Sequence, residues 1–295
     1  MGSFKIKSYA KINLALNVTG KKTKLHKIET LISFIDLYDL IHLKKVKKEN
    51  HKIIFKGKFA INIGKINTVT NLLKLLDKNN LLNGQKFEIK VIKNIPQEAG
   101  MGGGSMNAAS LINFFINQKI LKIKKNELIK LTSQIGSDVI LGIKPTIAAL
   151  SHNGDLTKYN KDIKLHTLVV KPSFGCSTKY IYSKVKSFSK PQFSFPKLKM
   201  FEVDYLKTLN NDLEKIAFKK YPKLKKIKLF LSNTPNNMFV RMSGSGSAIV
   251  AYFDSKRSCS KAYSQFKRKL SSHWCITSKT IYFFFFVIYE INIGA

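Results

Sequence analysis

Fifteen residues, Pro96 to Ser110 (PQEAGMGGGSMNAAS), constrain this chain more than any other stretch. Glycine stands at 100, 102, 103 and 104, just after the alternating apolar positions Phe87, Ile89 and Val91 of a strand pattern running to Ile95. Asn107-Ala108-Ala109 then opens a helical run to about Ile120. Strand, glycines and helix in that order make an anion cradle. Residues without Cβ let the backbone come close, and the free N–H groups of a helix start point at the ligand. The stretch is no Walker A loop, because no Gly-Lys-Ser/Thr follows. It is no G-x-G-x-x-G either, since Ser105 takes the last glycine's place, and protein-kinase signatures are absent. The plain alternative is a flexible hairpin loop. Glycines abutting a helix start favour phosphate.

Around this loop the pattern mixes strands and helices. Phe4–Asn17 and Leu31–Leu43 read as strands, the second bent at Asp36 and Asp39, and 52–63 reads as a hairpin arm. Helical spacing marks 71–76, 126–134 (stopping at Gly136), 178–185 and 206–218. Strands are expected at 147–151 and 165–171. A Pro- and Ser-rich connection covers 187–196, and MSGSGS (242–247) forms a second glycine turn between two apolar strands. No internal repeat is visible, and a domain boundary falls near residue 150.

Composition narrows the class. A 295-residue chain that is 44% hydrophobic buries a real core. The net charge of +35 suggests a nucleic-acid or membrane partner until the cations are inspected. Forty-nine of the 52 are lysine, with arginine only at 241, 257 and 268. Arginine is the bidentate reader of phosphates and bases, and these lysines are scattered, so they read as a solvated surface without a specific nucleic-acid partner. Cys176, Cys259 and Cys275 lack metal-ligand spacing and suit a reducing cytoplasm. No signal-peptide pattern is seen, and the longest apolar run, Ile281 to Tyr289, is too short to span a bilayer. Its Phe283–Phe286 run is expected to be a buried edge strand or an untidy tail.

Three further features are ordinary alone. Lys11, in YAKINLAL, reads as a lysine snorkelling out of a strand. Asp138, in IGSDVILG, reads as a helix cap, and Gly244 and Gly246 as a tight turn. Taken in order with the glycine loop, however, these features resemble the GHMP kinases. Also matching are FGCST (174–178) and NDLE (211–214), and the likeness covers about residues 5 to 280. The resemblance implies an α+β fold of two domains, 1–150 and 151–295, with the active site in the cleft between them. It implies ATP with Mg²⁺ and a small-molecule alcohol carrying a cytidine diphosphate.

Roles follow position by position from that resemblance. Lys11 and Asp138 would be the catalytic pair, Asp138 accepting the hydroxyl proton and Lys11 steadying the developing charge. Pro96, Gln97, Glu98, Ala99, Gly100, Met101, Gly102, Gly103, Gly104, Ser105 and Met106 would wrap the triphosphate, with Gly244 and Gly246 completing the ATP site. Asn13, His26 and Tyr182 would bind the acceptor, Tyr182 stacking on cytosine and His26 meeting its edge. Leu25 and Ile32 stand where the family commonly has aromatics. Met106 removes a second hydroxyl after the glycines, so no metal ligand is assigned. Val139-Ile140-Leu141 departs from the usual Val-Pro pattern. Two alternatives stay open: a GHMP kinase acting on homoserine, mevalonate or a sugar, and a basic nucleic-acid-binding protein with an incidental glycine loop.

Overall fold

The computed structural model describes residues 3–23, 25–282 and 290–292. The chain opens with two long strands, β1 (Ser3–Lys22) and β2 (Leu25–Val46), paired antiparallel over nearly their whole length. The bend expected at Asp36 and Asp39 is a bulge: Tyr9 faces Tyr38 but Ala10 faces Ile35, so residues 36 and 37 are the extra ones. Asp39 itself stays within the strand and is fully buried.

Next come β3 (Lys52–Lys56), α1 (Thr68–Lys78), β4 (Lys86–Ile92), α2 (Gly103–Asn117) and α3 (Lys125–Ile135). A 3₁₀ turn, Val139–Gly142, leads to β5 (Ile147–Leu150) and β6 (Leu156–Tyr159). The expected hairpin arm at 52–63 is corrected here. β3 pairs parallel with β4, because α1 lies between them and carries the chain back to the same end. Helix α2 begins at Gly103, four residues before the expected Asn107.

The remainder runs β7 (His166–Lys171), α4 (Thr178–Ser183), α5 (Val203–Thr208), α6 (Leu213–Lys220), α7 (Pro222–Ser232), β8 (Phe239–Met242), β9 (Ile249–Phe253), α8 (Lys256–Lys269), β10 (Trp274–Lys279) and β11 (Glu290–Asn292). The single helix expected over 206–218 is two helices. Between them Asn210 and Asp212 pair with Leu16 of β1 through backbone bonds of 3.0 and 2.9 Å. The Phe283–Phe286 run lies outside the described residues.

Two sheets result. One has seven strands, ordered β11-β1-β2-β4-β3, with β5 on β2 and β6 on β5. The other is the antiparallel set β10-β7-β9-β8. The first sheet thus takes in β6, past residue 150, and a strand from the far end of the chain.

One apolar cluster packs α1 and α2 on the first sheet, and another packs α6 to α8 on the second. A third joins the two: Ala10, Ile12 and Leu14 of β1 pack with Val169, Leu206, Val250 and Tyr252. β1 is therefore core to both halves. Each large side chain buried along this seam contributes about 1.5–3 kcal/mol, which resists opening.

The closest approach across the seam is at Gly100. It has φ +71°, and a Cβ there would lie 1.9 Å from the Ser243 carbonyl oxygen. Gly84 has nearly the same φ, +70°, with nothing within 4 Å. Gly84→Ala should therefore cost about 1–2 kcal/mol, the left-handed backbone penalty alone. Gly100→Ala should cost more than about 3 kcal/mol, backbone strain plus overpacking. Urea denaturation of both variants checks this, and equal losses would show that the seam can relax.

Candidate active site

The glycine loop occupies the seam between the two sheets. Its carbonyls at Glu98 and Ala99 accept from the N–H groups of Ser247 and Ala248 at 3.0 and 3.1 Å. The Gly100 carbonyl accepts from the Ser243 hydroxyl at 2.8 Å. The two glycine turns are thus docked on each other. Asn211 supports the second turn from behind, its amide donating to the Met242 and Gly244 carbonyls, both at 2.8 Å. Glu214 accepts from Met242 N–H at 2.8 Å, and Thr178 and Ser245 pair hydroxyls at 2.9 Å. NDLE and FGCST are therefore bracing for the second turn.

The first loop ends at Gly102, which caps α2 in a left-handed conformation with no side-chain cap bond. The first helical bond is Met106 N–H to the Gly102 carbonyl at 2.8 Å. The N–H groups of Gly103, Gly104 and Ser105 therefore have no acceptor inside the helix, the arrangement that suits an anion. Of the loop residues expected to wrap triphosphate, Ala99, Met101 and Met106 bury their side chains in the core. They can offer only backbone. Gly103's missing side chain faces Ile95 and Lys93, so glycine is needed there for packing behind the loop.

Lys11 does not snorkel. It is buried, at 3% exposure, with its stem lying along Gly102. Its Nζ donates to Asn13 Oδ1 at 2.7 Å and stands 3.1 Å from Asp138 Oδ2. Asp138 precedes the 3₁₀ turn but makes no side-chain cap bond, so its carboxylate is left to pair with Lys11. Asn13 is held in turn, donating to Thr30 Oγ1 at 2.9 Å.

Tyr182 stands close enough to Asp138 to feel its charge. Burial, and then the Asp138 charge, push its hydroxyl above the ordinary phenol value, so it stays protonated. The His26 ring lies 5.3 Å from the Tyr182 ring. Burial and the nearby Lys21 charge hold the His26 imidazole below its usual value, keeping it neutral near pH 7 with one donor and one acceptor nitrogen. Of the two positions where an aromatic was expected, Leu25 is 76% exposed, whereas Ile32 is fully buried against Phe34 and Met106. The Ile32 side chain belongs to the core.

Beneath the glycine loop lies a group the sequence reading missed. Asp39 accepts from Asn94 N–H at 2.7 Å, Ile95 N–H at 2.8 Å and the Asn107 amide at 3.0 Å, and it pairs with Lys93. Asp39 and Lys93 are both buried. The carboxylate ties the end of β4 to the first turns of α2, and Lys93 offsets a negative charge that would otherwise sit behind an anion site. The signal was present: an acidic residue at a sheet-interior position, which normally demands a partner.

Comparisons with known proteins bear on the family and the fold. GHMP kinases N terminal domain matches residues 67–150, and GHMP kinases C terminal matches 203–272. A 4-diphosphocytidyl-2-C-methyl-D-erythritol kinase of Pelagibacter ubique is 68% identical over 281 residues, 95% of this chain and 100% of the relative. Another, of Clostridium novyi, is 33% identical over 89% of this chain and 95% of its own length. Among solved structures, a 4-(cytidine 5'-diphospho)-2C-methyl-D-erythritol kinase superposes with a TM-score of 0.76 at 23% identity, covering 93% of this chain and 99% of that one. A homoserine kinase from Cytophaga hutchinsonii gives 0.70 at 16% identity, covering 95% of each. Both speak for the fold alone.

Lys93→Met strands a buried carboxylate and should cost about 3–5 kcal/mol of stability. The double variant Asp39→Asn/Lys93→Met removes both charges and should recover most of that loss. A denaturation double-mutant cycle measures the coupling. Additive losses would mean that the pair is no pair.

Proposed function

This chain belongs to the GHMP kinases, and we propose that it transfers the γ-phosphate of ATP to the 2-hydroxyl of 4-diphosphocytidyl-2-C-methyl-D-erythritol. It is a small-molecule kinase. The reaction belongs to the non-mevalonate route to isoprenoid precursors. One observation supports the chemistry most: the buried Lys11 ammonium joins Asn13 and Asp138 next to the uncapped start of α2.

The proposed roles follow from placement. The N–H groups of Gly103, Gly104 and Ser105 would hold phosphate oxygens, helped by the positive end of the helix. Asp138 would take the proton from the attacking hydroxyl. Lys11, fixed by Asn13, would offset the negative charge that grows on that oxygen and on the phosphoryl group. Docked glycine turns keep the loop from shifting, so positioning supplies much of the rate. Magnesium, arriving on the triphosphate, would offset part of its charge. Among the described residues no group of three or more His, Cys, Asp or Glu could hold a metal, so no further ligand is proposed from the protein.

Acceptor recognition rests on His26 and Tyr182. A neutral imidazole can both donate to and accept from the cytosine edge, and the phenol ring offers a stacking face. Asn13 would orient the erythritol end. Among the described residues no helix is long and apolar enough to cross a membrane. We place the enzyme in the cytoplasm, where its substrates would be dissolved and its three free, buried cysteines would stay reduced.

Asp138→Asn should lower turnover by about 10²–10⁴-fold, as loss of a general base does. Nucleotide affinity, read by calorimetry, should change little. Near-normal turnover would remove Asp138 from the chemistry. A panel of alcohols with and without the cytidylyl group tests the substrate: turnover only with the cytidylylated compound is the expected result. Tyr182→Ala should lose about 1–3 kcal/mol of acceptor binding. An unchanged Michaelis constant for the cytidylylated alcohol would refute stacking there.

A further inference from the structure

Phe188 is an aromatic in an unusual position. It is 48% exposed, on the connection after α4 that the sequence marks as Pro- and Ser-rich loop. Its ring centroid lies 6.4 Å from that of His26, which is itself 5.3 Å from Tyr182. An imidazole, a phenol and a phenyl ring therefore gather at the tip of the β1–β2 hairpin. We infer that Phe188 is an acceptor-binding residue that supplies an aromatic face to the nucleobase, beside Tyr182 and His26.

The loop is built to hold that ring in place. After α4 the chain turns back through Lys184 N–H to the Ile181 carbonyl and Val185 N–H to the Tyr182 carbonyl, both at 3.2 Å. It is then clamped on the residue following Phe188. Ser189 N–H donates to the Val18 carbonyl at 2.9 Å, and the Ser189 hydroxyl donates to Asp212 Oδ2 at 2.8 Å. Asp212 Oδ2 also receives Val18 N–H at 2.7 Å, so the clamp closes on β1 itself. A second clamp follows, where fully buried Glu29 accepts from Gln192 N–H at 2.7 Å and Phe193 N–H at 2.9 Å. Phe193 drops into the core at 0% exposure.

The anchoring is thus carried by Ser189, Glu29 and Phe193, and Phe188 is left half in solvent. An exposed ring held by fixed backbone, next to the His26 ring that itself neighbours Tyr182, is the arrangement of a stacking platform. It also fills the gap at this hairpin tip, where Leu25 is a solvent-facing aliphatic and Ile32 is buried elsewhere.

This inference rests on the cytidine reading of the site, and the test separates the two. The probe is CMP, measured as a competitive inhibitor of acceptor turnover, with ribose 5-phosphate as a base-free control. Phe188→Ala should raise the CMP inhibition constant about 5- to 100-fold, the range for a lost base–aromatic stack, leaving the ATP Michaelis constant and the ribose 5-phosphate value unchanged. Phe188→Tyr should retain CMP binding and Phe188→Leu should not. Leucine matching phenylalanine would overturn the proposal, because an apolar plug would then suffice. Tyr182→Ala weakening CMP while Phe188→Ala does not would overturn it too, with the cytidine site intact. If neither variant moves CMP, the cytidine reading falls and this inference with it.

Discussion

The docking of one glycine turn on the other is the contact on which the rest of this protein depends. Three consecutive carbonyls, at Glu98, Ala99 and Gly100, are taken up by two N–H groups and a hydroxyl of residues 243–248. Backbone-to-backbone approach at this range excludes a side chain at Gly100. The next residue, Met101, accepts from Lys11 N–H at 3.2 Å, so the same loop also fixes the strand that carries the cleft lysine. Glycine loop, Lys11 and second turn are thereby one rigid piece. In such a piece the cost of orienting groups is met by folding and not at each turnover.

Burial, not abundance, separates the lysines that matter from those that do not. A surface lysine is solvated and screened, and one more or less changes little. Lys11 and Lys93 are buried, and each faces a carboxylate. They differ in exposure of that partner. Asp39 is sealed, whereas Asp138 keeps a third of its side chain open to solvent. A sealed pair serves architecture. An open one can exchange its partner for a substrate hydroxyl, which is what the proposed chemistry asks of it. The charge of +35 describes the surface and says little about either site.

Local pattern made much of this legible in the sequence. The strand before the glycines and the helix after them follow from alternation and from alanine-rich spacing, and each candidate residue near the loop could be named from its motif. Long-range pairing was not legible. The parallel partner of β3 depends on where α1 sends the chain, and the break at Asn210–Asp212 depends on Leu16, nearly two hundred residues away. Helix α8 was missed because only Cys259, Ala262 and Phe266 mark its buried face among lysines and serines. Phe188 was missed for the opposite reason. Its surroundings read as loop, and nothing in a loop's composition tells which residue its clamps will expose.

Helix α2 sets the segment that carries Asp138 against its own uncapped start. Its N-terminus presents the free N–H groups, while its buried face fixes the segment that carries Asp138. Gly142, at the end of that segment, packs so closely that a Cβ would lie 2.7 Å from Ala109 and 2.9 Å from Met106 Sδ, both on α2. Asn113, one turn further on, donates to the Gly142 carbonyl at 2.8 Å and accepts from Lys144 N–H at 3.2 Å. Met106 is thus part of the packing that holds the 3₁₀ turn. The Asp138 segment and the free N–H groups are thus held by two parts of the same fifteen-residue helix. A shift of α2 would move both together, so the distance between the Asp138 carboxylate and the free N–H groups of the helix start is protected.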